Sequence, residues 1–530
     1  MKLINSNITK HLPEITLDYI NNEDRVVELF NRNNLLENYF DQILEKKNNY
    51  NNDFRKPLSE VLELNYEKVS GNSFQIQSIK KLKNNNTYTV TTGHQLNLFT
   101  GPLYFFYKII DTINICRKLK SKYPENEFIP FYWMASEDHD FKEINFFKIN
   151  DFLFNWNIST RGTVGELKTS SLDKTYNEII DFFGKDNSNA KKLFKLFKDS
   201  YLDNEKLSTA TFNLVHTLFG KYGLLILNPD NVKLKKIICY DILDEIKNQD
   251  CYKRVTETNN EMININIKPQ VNPREINLFY IKNNIRSRIE KYSSFYKVLE
   301  TGISFTEDEI AIEINNHPER FSPNVLLRPF YQEKILPNLA YIGGGSEIAY
   351  WLQLKSFFKK KNLTFPILAV RNSVLLVSKK NIKKCKKLDI KVADLFLKNH
   401  ELTKFYLTKV SKLKIDLTEL KNTIKYNFLK LYELSLETDK SFLGALKAQE
   451  TKQVNGIEKL EKKLLIAQKK KYKEKLERLS LIKEELFPNN SLQERQINFS
   501  EFYINYGEEF IDVLFDNLNP FDNNFLVISL

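Results

Sequence analysis

The sequence predicts an α/β protein with a parallel-sheet core, large insertions in that core, and a long helical hairpin after it. Three observations carry this reading. A strand–helix–strand pattern lies between Thr87 and Ala135. Two short apolar runs far downstream, Tyr222–Leu227 and Phe365–Val370, look like strands buried on both faces. From about His400 onward, Leu and Ile residues recur at steps of three and four between dense Glu and Lys.

Taken in order, residues 1 to about 85 read as polar helices, with an Asn/Lys-rich loop near Lys47–Asp53. Thr87–Thr92 (TYTVTT) is rich in β-branched and aromatic residues, as a strand requires, and it ends at Gly93. Gly101-Pro102 then opens a periodic apolar segment with cations in its last turn, the signals of a helix. Glu127–Ala135 (EFIPFYWMA) is the next strand, almost continuously apolar. Two parallel strands joined by a helix form a right-handed βαβ unit.

A chain of 530 residues is too long for one simple core. We expect a core over residues 1–385 with insertions at about 142–220 and 232–330, a hairpin over 386–488, and a C-terminal segment, 489–530, packing back on the core. The hairpin seam reads Leu413, Leu417, Leu420, Ile424, Phe428 and Leu431, then Ile457, Leu460, Leu464, Leu476, Leu479 and Leu486. At 1.5 Å per residue such arms reach roughly 50–70 Å, a length suited to dimerisation or docking.

No secretory h-region and no membrane-length apolar run is evident, and Cys116, Cys239, Cys251 and Cys385 form no CxxC pair. A reducing, cytoplasmic setting is expected. The net charge of +12 raises the possibility of a polyanion partner. No aromatic-interleaved basic motif accompanies the Lys runs, which points to solvated helix faces and away from nucleic acid.

Three stretches could carry chemistry. Gly93-His94-Gln95 follows a strand and Gly101 precedes a helix, the setting in which parallel sheets bind anions. The bland alternative is turn glycines and a structural histidine. Glu137, Asp138, His139 and Asp140 crowd three carboxylates and an imidazole onto the end of an apolar strand. This is costly unless they pair, bind substrate or move protons. One loop rarely supplies a full ligand set, so no metal is assigned. Gly343-Gly344-Gly345 before Ser346 and Glu347 suggests a close-approach or phosphate loop, but with neither Walker A nor GxGxxG spacing. Arg328 and Arg371 stand in apolar surroundings at element ends, where arginine clamps a carboxylate or forms an internal ion pair.

Taken together, TGHQLNLFTGPLYFFYK, PFYWMASEDHDFKEIN, LLRPFYQEKILPNLAYIGGGSEIAYW and FPILAVRNS, in that order, resemble the BshC family, the cysteine ligases of bacillithiol biosynthesis. The helical segment and SLQERQINF (Ser491–Phe499) fit as well, so the resemblance spans nearly the whole chain. It implies a Rossmann-like core of the class I aminoacyl-tRNA synthetase type, with connecting insertions and a coiled coil that pairs two subunits. It implies addition of cysteine to glucosaminyl malate to form bacillithiol, with carboxyl activation by ATP.

On this basis Glu137, Asp138, His139 and His94 are expected to be catalytic, with Gly93-His94-Gln95 in the place of the synthetase HIGH signature. Gln95, Asp140, Arg328, Glu347, Tyr350, Trp351, Arg371, Asn372 and Ser373 are expected to bind substrate, and Gly93, Gly101, Gly343, Gly344 and Gly345 a nucleotide or anion. The competing reading, resting on the +12 charge, is a basic coiled-coil RNA-binding protein with a degenerate synthetase-like core.

Overall fold

The structure is a computed structural model that describes residues 2–67, 69–411 and 416–530. The chain divides into two compact units: residues 1–374 with 494–527, and residues 375–493 with 528–530.

The first unit is built on a five-stranded parallel sheet. Its strands are β1 (Thr87–His94), β2 (Glu127–Met134), β3 (Leu225–Leu227), β4 (Asn338–Gly343) and β5 (Ile367–Val370). Their spatial order is β5-β4-β1-β2-β3. Read from β3 this is 3-2-1-4-5, the order of the dinucleotide-binding fold, whose direction of winding reverses between strands 1 and 4. Every residue of β1 and of β4 is buried, which explains their lack of polar–apolar alternation. Tyr88 and Val90 pack with Phe128, Leu339, Ile342 and Ile367 under Ile115 and Leu119 of the first crossover helix, α1 (Tyr104–Lys122).

The register pairs His94 with Met134, Thr92 with Ile342, and Gly343 with Val370. The carboxyl ends of β1, β2, β4 and β5 therefore finish level, and the loops that follow open on one edge.

Several details differ from the sequence expectations. β4 is a strand where the sequence suggested only a glycine loop. The third strand is shorter than expected, because Gly220–Tyr222 is a turn of 3-10 helix and Gly223 follows at φ 88°. Pro102 lies ahead of α1, not in its first turn. Phe99, Thr100 and Gly101 all have positive φ (47°, 69° and 64°) and reverse the chain. Asn498 Nδ2 ties this reversal down by donating to the carbonyls of Phe99 and Gly101 at 2.7 and 2.6 Å.

The insertion after β2 holds the hairpin Phe146–Ile149/Phe152–Asn155 and the helices Asp173–Phe183, Ser188–Phe197 and Leu207–Phe219. The insertion after β3 begins with the short helix α2 (Val232–Ile237). It contains an antiparallel five-stranded sheet, unsuspected from sequence, whose central strands are Leu278–Lys282 and Ile285–Tyr292. Asn283 and Asn284 turn between those two strands, both at positive φ (52° and 59°), the backbone of a tight hairpin turn. Helix α3 (Leu327–Ile335) leads back into β4, and helix α4 (Gly345–Leu352) leaves it. At the chain's ends Lys2–Ile4 pairs antiparallel with Phe525–Val527.

The second unit is helical, with α5 (Thr418–Ser435), α6 (Lys440–Lys471) and α7 (Lys473–Leu486). Lys421 Nζ meets Glu461 Oε2 at 3.0 Å and Tyr432 Oη donates to Glu450 Oε2 at 2.6 Å, so α5 and α6 run antiparallel. Leu413 of the expected seam lies outside the described residues. Phe428 and Leu446 are buried, but Leu420, Leu431 and Leu460 remain exposed, so two helices alone do not cover the seam.

Candidate active site

A cavity of about 580 Å³ opens at the carboxyl ends of β1 and β2, roofed by the antiparallel sheet of the insertion. It lies where the winding direction changes, the place where open α/β sheets bind ligands. Its lining includes Gly93, His94 and Gln95 after β1, Glu137, Asp138 and His139 after β2, and Arg328, Glu347 and Tyr350 from α3 and α4.

The β2 loop is the most constrained part. Asp138 Oδ2 accepts from Gln95 Nε2 at 2.9 Å, and Oδ1 accepts from the His139 N–H at 2.7 Å. Burial alone would raise this carboxyl. The Gln95 and backbone hydrogen bonds and the nearby Arg286 outweigh it and hold Asp138 below the usual carboxylate range. Gln95 Nε2 also reaches Glu143 Oε2 at 2.8 Å, joining the β1 and β2 loops.

His139 Nδ1 lies 2.8 Å from Arg286 Nη1. A guanidinium only donates, so Nδ1 is the acceptor and the neutral ring carries its proton on Nε2. Burial and then Arg286 lower the His139 pKa. Arg286 stacks over Phe279 at 3.8 Å and donates to Ser322 Oγ and the Pro323 carbonyl. Glu137 turns the other way, to Lys235 Nζ on α2 at 2.6 Å, and Lys235 also meets Asp230 at 2.8 Å. Burial opposes the Lys235 ammonium, but the two carboxylates prevail and raise its pKa.

On the β4 side, Glu347 is the keystone. Lys108 Nζ, on α1, contacts both its oxygens (2.6 and 2.8 Å) and donates to the Gly93 carbonyl at 2.6 Å. The Gly344 N–H and Tyr341 Oη complete the set at 3.1 and 2.8 Å. Burial would raise the Glu347 carboxyl, yet these partners hold it low. Gly343 is needed for close approach, since a Cβ there would stand 3.0 Å from Glu347 Cβ.

His94 is buried against Tyr104 and Phe105, and its Nε2 has no hydrogen-bond partner. Burial, then Lys108 and Arg371, push its pKa far below the ordinary imidazole range, so the ring is neutral. Arg328 Nη2 donates to Tyr350 Oη at 3.1 Å.

The remaining expected residues lie off this cavity. Arg371 is buried on Glu494 at 2.7 Å, and Ser373 Oγ meets the same carboxylate at 3.3 Å. The Asn372 N–H donates to Asp111 Oδ2 at 2.7 Å. These three knot the exit of β5 to the core. Gly101 belongs to the Asn498 turn. Gly345 packs on Leu12 and Pro13, and the free amide expected at Gly344 is taken by the chain's own Glu347. Asp140 is exposed, and the Trp351 ring lies tilted against Tyr341, with centroids 4.5 Å apart. Lys108, Arg274, Arg286 and Arg288 line the cavity and were not anticipated. The Ile285-Arg286-Ser287-Arg288 alternation after an Asn-Asn turn is the signal that could have marked the last two. Among the described residues no group of three or more His, Cys, Asp or Glu is placed to hold a metal, and no helix is long and apolar enough to cross a membrane.

The strand order and the cavity at its switch point define a Rossmann-like α/β protein carrying a separate coiled-coil unit. Comparison with known proteins narrows this. The family model described as Bacillithiol biosynthesis BshC, N-terminal Rossmann-like domain, matches residues 1–372, and that of the BshC C-terminal coiled-coil domain matches residues 374–530. The chain belongs to the BshC family. Among its relatives, a protein of Christiangramia forsetii is 46% identical over 98% of this chain and 97% of its own. One from Flavobacterium johnsoniae is 48% identical over 98% of both chains, and one from Flavobacterium psychrophilum 48% over 98% and 97%. All three are named "Putative cysteine ligase BshC". A solved structure described as a "putative arginyl t-RNA synthetase" from Campylobacter jejuni aligns over 81% of this chain and 92% of its own, at 12% identity and a TM-score of 0.21.

Proposed function

We propose that this protein is a ligase joining the carboxyl of cysteine to the amine of glucosaminyl malate, which yields bacillithiol. The observation that best supports this is the fixed, ionised Asp138 facing arginines across a switch-point cavity, in a chain whose relatives are named cysteine ligases. An amine attacks a carboxyl only after losing a proton, so the site needs a group that first holds an ammonium and then accepts that proton. Asp138 suits the first task directly, and with its pKa held low it takes a proton from the nitrogen only as the C–N bond forms and that nitrogen becomes strongly acidic. His139 does not suit the second, because Arg286 occupies its only acceptor nitrogen, and it acts as an Nε2–H donor to substrate.

ATP would supply the activation that turns one carboxylate oxygen of cysteine into part of a leaving group. Arg328, with a single side-chain hydrogen bond, is the group available to the reacting carboxyl and its phosphate partner, and neutral His94 lines the same cavity. The glycine loop is not, because Glu347 already caps it.

The test is direct. Purified protein, L-cysteine, glucosaminyl malate and Mg-ATP should yield the amide by mass spectrometry, with stoichiometric AMP. Absence of product from folded protein would refute the reading, and ADP in place of AMP would refute the manner of activation. We also place the protein in the cytoplasm, in keeping with its four free cysteines, and assign the coiled coil as a dimer element because Leu420, Leu429, Leu434 and Leu460 are exposed along it. Light scattering should then give twice 62.6 kDa.

A further inference from the structure

The cavity carries more positive charge than its own acids balance. Five cationic side chains line it against three carboxylates. Lys108 is taken up by Glu347, Arg286 by His139, Ser322 and Pro323, and Arg328 in part by Tyr350. Arg274 and Arg288 are exposed, and among the described residues neither side chain has a partner.

Both are nevertheless held in place by their backbones. Arg288 pairs with Phe279 in the hairpin register, and lies two residues from Arg286 on the same strand, so both project from one face. The Arg274 turn is closed by fully buried Asn277, which accepts from the Arg274 N–H at 3.2 Å and donates to its carbonyl at 2.7 Å. Asn277 also joins this turn to Asn324, ahead of α3, at 2.9 Å. Two unpaired guanidinium forks on fixed backbone suit planar, bidentate anions, and a pair of them suits a ligand with two carboxylates.

We propose that Arg274 and Arg288 form a dicarboxylate subsite. It receives the malyl end of the co-substrate and thereby turns the amine toward Asp138. The identity of the ligand rests on the ligase reading above, whereas the subsite rests on the two arginines. A dianion engages both forks and a monoanion only one, so the subsite selects malyl conjugates over neutral or singly charged glycosides.

The test is calorimetric titration with L-malate and L-lactate as probes, on wild-type protein and on the double variant Arg274→Gln/Arg288→Gln. Both side chains are exposed, so the variant should melt like wild type. Malate should bind wild type at least tenfold tighter than lactate does, and the double substitution should remove that advantage while leaving L-cysteine binding intact. In turnover, KM for glucosaminyl malate should rise at least tenfold, with KM for cysteine unchanged. Malate binding that survives the double substitution, or equal binding of malate and lactate by wild type, overturns the subsite. If wild type makes the amide and the variant keeps its KM, the subsite falls and the ligase reading stands. If malate binding depends on the arginines but no amide forms, the subsite stands and the ligase reading falls.

Discussion

Replacing Asp138 by Asn probes the core of the mechanism with almost no change in volume. In the native site one oxygen accepts from Gln95 at 2.9 Å and the other from the His139 N–H at 2.7 Å, with the Asp140 N–H at 3.4 Å. An amide offers one acceptor and one donor. Whichever way it turns, an NH₂ group faces another donor, and one hydrogen bond to a charged acceptor, worth about 1.5–3 kcal/mol, is lost. That is about a tenfold to hundredfold loss in the population of the ordered loop, since 1.4 kcal/mol is about tenfold. Loss of the proton acceptor we propose removes a further ~10²–10⁴ in rate. Turnover should therefore fall by more than about 10³, with the melting temperature little changed, because the loop lies at the rim of the core and not within it. The assay is amide formation under saturating substrates, with Asp140→Asn as control. Asp140 is exposed and off the cavity, so its variant should stay within about threefold of wild type, as surface changes usually do. A rate for Asp138→Asn within tenfold of wild type would refute the assignment of Asp138 as the group that takes the proton.

Gln95→Ala removes the bridge between Asp138 and Glu143, and should lower kcat by roughly tenfold, about one hydrogen bond to a charged group, while leaving stability nearly intact. Lys108→Met should be severe, costing about 3–5 kcal/mol in urea unfolding, because it strands Glu347 without its counter-charge. Gly343→Ala should cost about 1–3 kcal/mol by driving a methyl to 3.0 Å from Glu347 Cβ. Asp111 sets a pH dependence. Burial raises its carboxyl to about 7 against an ordinary 3.8, so its stabilising contribution is full below about 4 and is lost as pH rises through about 7. Urea unfolding at pH 5 and pH 8 should show wild type losing about 2–3 kcal/mol more than Asp111→Asn over that interval, and equal losses in the two proteins would refute it.

Much of the site was legible because its two loops follow strands with strong local signals. TYTVTT and EFIPFYWM carry the β-branched and continuous apolar character that doubly buried strands need, so the residues after them had to sit at a sheet edge. The polar groups of Gln95 and Asp138 in those loops then stood out. β4 was hidden because its strand residues, Asn338–Gly343, run into two more glycines and a helix, and the glycines masked the strand signal. Lys108 was hidden because a lysine in an amphipathic helix reads as solvated. It is 2% exposed, and only the arrival of the Gly93 carbonyl and of Glu347, 239 residues downstream, gives it a partner.

The sequence by itself determined the strand–helix–strand start of the core, the two loops that end its strands, and the heptad-like helices after it, because each is set by local periodicity and turn chemistry. Only the tertiary structure decided which charges meet. Arg286 reaches His139 across 147 residues of chain, Lys235 reaches Glu137 from the next insertion, and Arg371 is spent on Glu494. Those pairings depend on how insertions fold back over the sheet, and no local pattern encodes the distance between two charges that become neighbours only when the core closes.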